Sequence, residues 1–199
     1  MAADKPPLIL ASGSPRRRDL LAQIGIVPDA VLPPEIDETP GADEAPGALV
    51  LRLAEAKARI VASAHPGAVV LAADTVVACG RRILPKAEDE ETARRCLALL
   101  SGRRHRVYGG ICVIAPNAAA PRLRRVVTMV RFKRLSPAEM RLYLVSGEWR
   151  GKAGGYAIQG LAGRFVSALN GSYGNVVGLS LPETAHLLAA AGIRHPLEG

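Results

Sequence analysis

The chain has 199 residues, 49% of them hydrophobic, 4% aromatic and 22% charged, with Lys+Arg 26 against Asp+Glu 18 and a net charge of +8. That length suits one compact domain spanning residues 1–199, and the balance excludes a disordered, collagen-like or low-complexity chain. The apolar runs at 68–73 and 111–116 fall far short of the roughly 18 residues a membrane span requires.

Residues 1–7 carry one acid and one base and make a poor signal peptide. Cys79, Cys96 and Cys112 are odd in number and lack Cys-x-x-Cys spacing, which points to a cytoplasmic protein rather than a disulfide framework. The positive charge suits a polyanionic partner, either nucleic acid or a phosphate-bearing small molecule.

Residues 8–11 read as a short strand that breaks at Ser12-Gly13-Ser14-Pro15 and turns into a helix. There Ser14 is placed to cap, Pro15 suits the first helical position and Gly25 suits a left-handed C-terminus. Leu49, Leu53, Ala56, Ile60 and Ala64 recur at helical intervals from Pro46 until His65-Pro66-Gly67 stops the pattern. Residues 68–73 predict a strand covered on both faces and ending at Asp74-Thr75, followed by a hairpin of 76–79 and 82–84 around Gly80. A helix over 88–100 closes on Ser101-Gly102. Two β-rich segments, 104–115 and 122–135, then flank Pro116-Asn117, the second alternating on Val126, Thr128, Val130 and Phe132.

Ser136-Pro137-Ala138-Glu139 is a capping box opening a helix that ends before Gly147, and a last helix over 182–191 stops at Gly192. This mixture of crossover units and hairpins predicts an α/β protein on a mixed sheet flanked by helices. No linker divides it.

The turn Ser12-Gly13-Ser14-Pro15-Arg16-Arg17 sets hydroxyls and guanidiniums at a helix N-terminus, which reads either as a phosphate cradle or as an ordinary capped helix with solvated arginines. Asp74 ends an apolar strand, where function collects in α/β folds and where Asp also simply begins turns. Glu35, Asp37 and Glu38 form an acidic loop that, together with Asp74, suits a hard divalent cation, although a solvated loop is the plainer reading. Lys57 and Lys86 do not stand out alone.

Gly147-Glu148-Trp149-Arg150-Gly151-Lys152-Ala153 looks like a P-loop, but its spacing is one short and Ala153 replaces the metal-binding hydroxyl. His65, His105, His186 and His195 are widely separated. The clusters Arg103-Arg104-His105-Arg106 and Arg122 to Arg125 lack interleaved aromatics, which favours a solvated face over a nucleic-acid groove.

Taken together, Leu10-Ala11-Ser12-Gly13-Ser14-Pro15-Arg16-Arg17, Ile36-Asp37-Glu38, Ala56-Lys57-Ala58, Ala73-Asp74-Thr75-Val76-Val77, Leu100-Ser101-Gly102, the stretch from Gly151 to Gly160 and the stretch from Gly171 to Leu179 resemble, in the same order, the Maf family of nucleotide pyrophosphatases. The resemblance implies a fold related to the inosine-triphosphate pyrophosphatases, with two lobes around a cleft. It also implies a possible homodimer and metal-assisted hydrolysis of nucleoside triphosphates to the monophosphate and pyrophosphate, with magnesium or manganese as the divalent metal. It places the catalytic carboxylate on Asp74, the other charged catalytic positions on Glu38, Lys57 and Lys86, and the metal on Asp74 and Glu38. Substrate binding falls to Ser12, Ser14, Arg16, Arg17, Thr75 and Gln159.

Ile158-Gln159-Gly160 is similar to the branch acting on dTTP and UTP rather than the branch acting on methylated GTP. The chain departs from the common family pattern at Pro85-Lys86-Ala87 in place of Gly-Lys-Pro, at Gly109 in place of Thr, and at Ser180 in place of Pro. A nucleic-acid-binding protein or a cell-division regulator are the competing readings.

Overall fold

A computed structural model of the chain describes residues 6–195 and residue 197. Residues 1–5 of the stretch weighed above as a signal peptide lie outside the described residues. The chain groups into two compact units, each discontinuous in sequence. The first takes the described parts of Met1–Asp74, Gly109–Val126 and Gly178–Gly199, and the second takes Thr75–Tyr108 and Val127–Val177.

In chain order the elements are β1 (Leu8–Leu10), α1 (Pro15–Gln23), β2 (Ala30–Val31), α2 (Pro46–Ala64), β3 (Val69–Cys79), β4 (Arg82–Leu84), β5 (Lys86–Ala87) and α3 (Glu90–Leu100). There follow β6 (Arg104–Ile114), β7 (Arg122–Phe132), α4 (Pro137–Ser146), β8 (Lys152–Ala153), a 3-10 turn (Leu161–Phe165), β9 (Val166–Asn170), α5 (Tyr173–Val177) and α6 (Leu181–Ala189). The larger sheet follows the order β2-β1-β3-β6-β7-β9 with β4 on β3, while β5 and β8 form a small sheet of their own. β1 is parallel to β2 and β3, whereas β3/β4, β5/β8 and β7/β9 are antiparallel. The sheet is therefore mixed, as the alternation of crossovers and hairpins predicts.

In the first unit, α2 buries Ala54, Ala58 and Val61 against Ile9, Ala11, Val70, Ala72 and Cys112. Small side chains on both sides let the helix backbone approach the strands closely. At Gly110 a Cβ would lie 2.1 Å from the carbonyl oxygen of Val50, so only glycine fits between β6 and α2 there. The second unit gathers much of the chain's sparse aromatic content. Phe132 meets His105, Tyr156 and Phe165 edge-on, and Phe165 meets Tyr143 in the same way.

Several boundaries differ from the sequence reading. The apolar run at 68–73 does not end at Asp74-Thr75: β3 continues to Cys79, because the first arm of the predicted hairpin is the same strand, paired Val77 to Leu84 and Cys79 to Arg82. The helix over 88–100 begins at Glu90, where Asp89 takes the cap by accepting the Thr92 N–H. β7 stops at Phe132 rather than 135. The last helix is shifted to Leu181–Ala189.

Ser14 occupies the N-cap position of α1 without a side-chain cap hydrogen bond. The capping box on Ser136 and Glu139 forms as read, with Gly147 left-handed at φ 71°. The P-loop look-alike is a turn leading into β8, not a strand–loop–helix. Among the described residues no helix is long and apolar enough to cross a membrane, and the three cysteines are free thiols.

Candidate active site

Parallel strands deliver their functional residues to one end. β1 and β3 run in register, Leu8 beside Val69 and Leu10 beside Leu71, and the pairing ends with the Ala11 N–H donating to the Leu71 carbonyl at 2.8 Å. Ser12 opens its turn one residue past that bond, and Asp74 follows on β3 beyond the parallel stretch. Carboxyl ends of parallel strands are where α/β sheets place ligands.

The turn is braced from within. Ser12 is buried, and its Oγ accepts from Nη1 of Arg17 at 2.7 Å and from the Ser14 N–H at 3.3 Å. Nε of Arg17 donates to the Gly178 carbonyl at 2.9 Å. Burial lowers the pKa of this guanidinium, while the charges of Asp74 and Glu38 raise it. An arginine has ample margin to remain a cation. Arg17 therefore ties the Ser12 turn to Gly178 and faces the two acids electrostatically. Arg16 is half-buried, and Arg18 is exposed beside Asp19 at 4.0 Å.

The acids are joined by Lys57. On α2 this residue follows Val50, Leu53 and Ala54 and precedes Val61 on the buried stripe of the helix, so its ammonium is carried inward. Nζ donates to Oδ1 of Asp74 at 2.7 Å and to Oε1 of Glu38 at 2.6 Å. Asp74 and Lys57 are both buried, and ions so placed must be paired to persist.

Glu38 reaches this position because its loop is tethered. Arg52 of α2 grips the Glu44 carboxylate with two donors at 2.8 Å and donates to the Thr39 carbonyl at 3.1 Å. Those bonds hold the Glu44 carboxyl down at about 2. The acidic cluster of the sequence thus divides: Glu38 turns to Lys57, Glu35 is exposed, and exposed Asp37 accepts the Thr39 N–H.

Thr75, Lys86, His105 and Gln159 belong to the second unit. Thr75 follows Asp74 along β3 and is half-buried. Lys86 is exposed on β5, paired with Ala153 of β8, and Gln159 is exposed in the turn before the 3-10 segment. His105 is buried and bonded to Tyr156, as suits a core histidine. In the Arg122 to Arg125 cluster, Arg124 pairs with Glu183 at 3.1 Å. The Gly178 carbonyl carries no side-chain signal in the sequence, and the signal of Lys57 is a cation on an apolar helical stripe.

A hard cation asks for carboxylate oxygens and keeps waters or substrate oxygens in its remaining positions. Asp74 and Glu38 fit that donor set, brought together on one ammonium. Lys57 pairs with both carboxylates, and the nearby Arg17 guanidinium adds a second positive charge facing them.

The Maf-like protein family model matches residues 7–191. A "dTTP/UTP pyrophosphatase" of Paramagnetospirillum magneticum is 68% identical over 185 residues, 93% of this chain and 97% of that protein. One from Rhodospirillum rubrum is 61% identical over 193 residues, 97% of this chain and 91% of that protein. Among solved structures, a HAM1 protein from Coxiella burnetii shows a TM-score of 0.48 at 19% identity, covering 65% of this chain and 74% of that one.

Proposed function

Because the chain belongs to the Maf family, we propose that it hydrolyses nucleoside triphosphates, dTTP and UTP foremost, to the nucleoside monophosphate and pyrophosphate. The observation that carries this reading is the triad in which Lys57 holds the carboxylates of Asp74 and Glu38 together beside the Arg17 turn. The whole chain, residues 1–199, acts as one pyrophosphatase domain.

The reaction adds water across the bond between the α-phosphorus and the bridging oxygen, so one water is consumed and pyrophosphate departs. Such a transfer depends on orientation and charge neutralisation more than on covalent help. Asp74 orients the attacking water and accepts its proton or binds the cation. Lys57 fixes the Asp74 carboxylate and, with Arg16, Arg17 and Lys86, balances the phosphate charge. Ser12 and Ser14 shape the turn that meets the phosphates, and Thr75 and Gln159 contribute to substrate choice. Asp74 and Glu38 would hold a divalent cation of the magnesium or manganese class, which supplies Lewis-acid polarisation of phosphoryl oxygens and a more acidic water.

The test is pyrophosphate release by the purified protein over a panel of nucleoside triphosphates. Rapid release from dTTP and UTP, abolished in Asp74→Asn, is expected. Absence of release from every triphosphate, in magnesium and in manganese, would overturn the reading. Tight salt-dependent DNA binding in its place would favour the nucleic-acid alternative.

A further inference from the structure

Gln159 stands exposed between two fixed flanks, all within the second unit. On its N-terminal side Tyr156, Ala157 and Ile158 are buried. The Tyr156 hydroxyl bonds Nε2 of His105 at 2.8 Å, and the Ala157 N–H donates to the Tyr143 hydroxyl at 3.1 Å. On its C-terminal side the Leu161 N–H donates to Oε2 of Glu148 at 2.7 Å. The turn between them is closed by the Gly160 N–H donating to the Ala157 carbonyl at 3.1 Å.

Glu148 lies in the P-loop look-alike that the function leaves unused. Its backbone is set by the end of α4: its N–H donates to Ser146 Oγ at 3.3 Å, and the next residue, buried Trp149, donates from its indole to the Leu144 carbonyl at 2.8 Å. Gly160 leaves space for the Glu148 carboxylate, since a Cβ there would lie 2.1 Å from Oε2. An anion accepting a backbone N–H makes one of the stronger hydrogen bonds available to a turn.

We propose that Glu148 is a positioning residue for base selection: its carboxylate fixes the turn through Gln159 and Gly160, and so the direction in which the Gln159 amide is presented. This rests on the reading that Gln159 meets the base. A freely rotating turn would offer donor and acceptor in several directions and discriminate poorly, whereas a held one rejects a base whose polar edge does not match.

The test compares kcat and KM for UTP and GTP in the parent, Glu148→Ala, Glu148→Gln and Gly160→Ala, with amide hydrogen exchange at Leu161. Glu148→Ala should cut the UTP-over-GTP preference at least about fivefold, the scale set by losing one charge-assisted hydrogen bond. The loss should fall on KM for UTP, with kcat changed less than about twofold. Glu148→Gln keeps an oxygen acceptor for the Leu161 N–H and should retain the preference. Gly160→Ala displaces the carboxylate and should reproduce the Glu148→Ala loss, and the double variant should be no worse than either single one.

Leu161 exchange should quicken in Glu148→Ala and Gly160→Ala and stay slow in Glu148→Gln. An unchanged preference in Glu148→Ala, or unchanged Leu161 exchange there, would overturn the proposal. A parent protein without any pyrimidine preference would instead overturn the underlying reading of Gln159, and that failure is visible before any variant is made.

Discussion

Nζ of Lys57 lies 2.7 Å from Oδ1 of Asp74, and each side chain is buried where the other is its partner. Removing Lys57 takes the ammonium away from two carboxylates at once, whereas removing the Asp74 charge leaves Lys57 its bond to Glu38. Lys57→Met should therefore cost about 3–5 kcal/mol, the range for breaking a buried pair from one side. Lys57→Met with Asp74→Asn should recover much of that stability and none of the activity. Chemical denaturation of both variants beside pyrophosphate release separates the effects. Equal stability of Lys57→Met and the parent would mean that the ammonium is not what holds the two acids.

Asp74→Asn alone is nearly isosteric and removes the charge to which the proposed mechanism assigns the water and the cation. Its turnover should fall by about 10²-fold or more, the usual cost of losing such a group. Its fold should survive. Activity within a few-fold of the parent at matched thermal stability would remove Asp74 from the mechanism.

The three consecutive arginines should behave differently. Arg17 donates to Ser12 and to Gly178 from a buried position, so Arg17→Ala should lower stability by about 2–4 kcal/mol, one unmade charged hydrogen bond contributing about 1.5–3. It should also raise KM. Arg16→Ala should raise KM for the triphosphate with little change in melting temperature, and exposed Arg18→Ala should change neither. If Arg18→Ala matched its neighbours in KM, the face of α1 assigned to phosphate would be wrong.

Local rules expose much of this architecture. Caps, stops and periodicity mark α1, α2 and α4 closely, because Pro15, Pro46 and Ser136 begin them and Gly25 and Gly147 end them through residue-specific backbone preferences. β3 is misread at Asp74 because a carboxylate resembles a turn signal, while pairing of Val77 with Leu84 keeps the strand going. Short pieces such as β2, β5 and β8 owe their form to strand pairing and carry no period. In the site, Asp74 is legible from its strand and the Ser12 turn from its helix. The brace from Arg17 to Gly178 spans 161 positions and ends on a carbonyl, which every residue possesses.

His105 gives the protein an acid limit. Burial holds its pKa down at about 4, against 6.5 when unfolded, so the folded ring stays neutral. Between those values the unfolded chain takes up a proton that the folded one refuses. Stability from this group is complete above pH 6.5 and is lost as pH falls toward 4, in total about 3 kcal/mol. His105→Gln keeps a partner for the Tyr156 hydroxyl and does not titrate. Its denaturation midpoint should fall less than the parent's over that window. Parallel profiles would show that His105 is not the titrating group.

Base preference provides the last test. The Gln159 amide offers a donor and an acceptor side by side, which match the alternating carbonyl and N–H edge of uracil or thymine. A purine presents a larger two-ring body that carries its polar edge farther from the sugar, so a turn fitted to a pyrimidine would leave that amide partly unmatched. The protein should therefore hydrolyse dTTP and UTP at least about tenfold better than ATP or GTP in kcat/KM, equivalent to about 1.4 kcal/mol and within reach of a site that hydrogen-bonds its substrate. Gln159→Ala should erode this ratio more than it weakens binding of the triphosphate, because the phosphate contacts assigned to Arg16 and Arg17 remain. A panel led by a purine or by a methylated guanosine triphosphate would overturn the pyrimidine assignment and leave pyrophosphate release itself as the surviving activity.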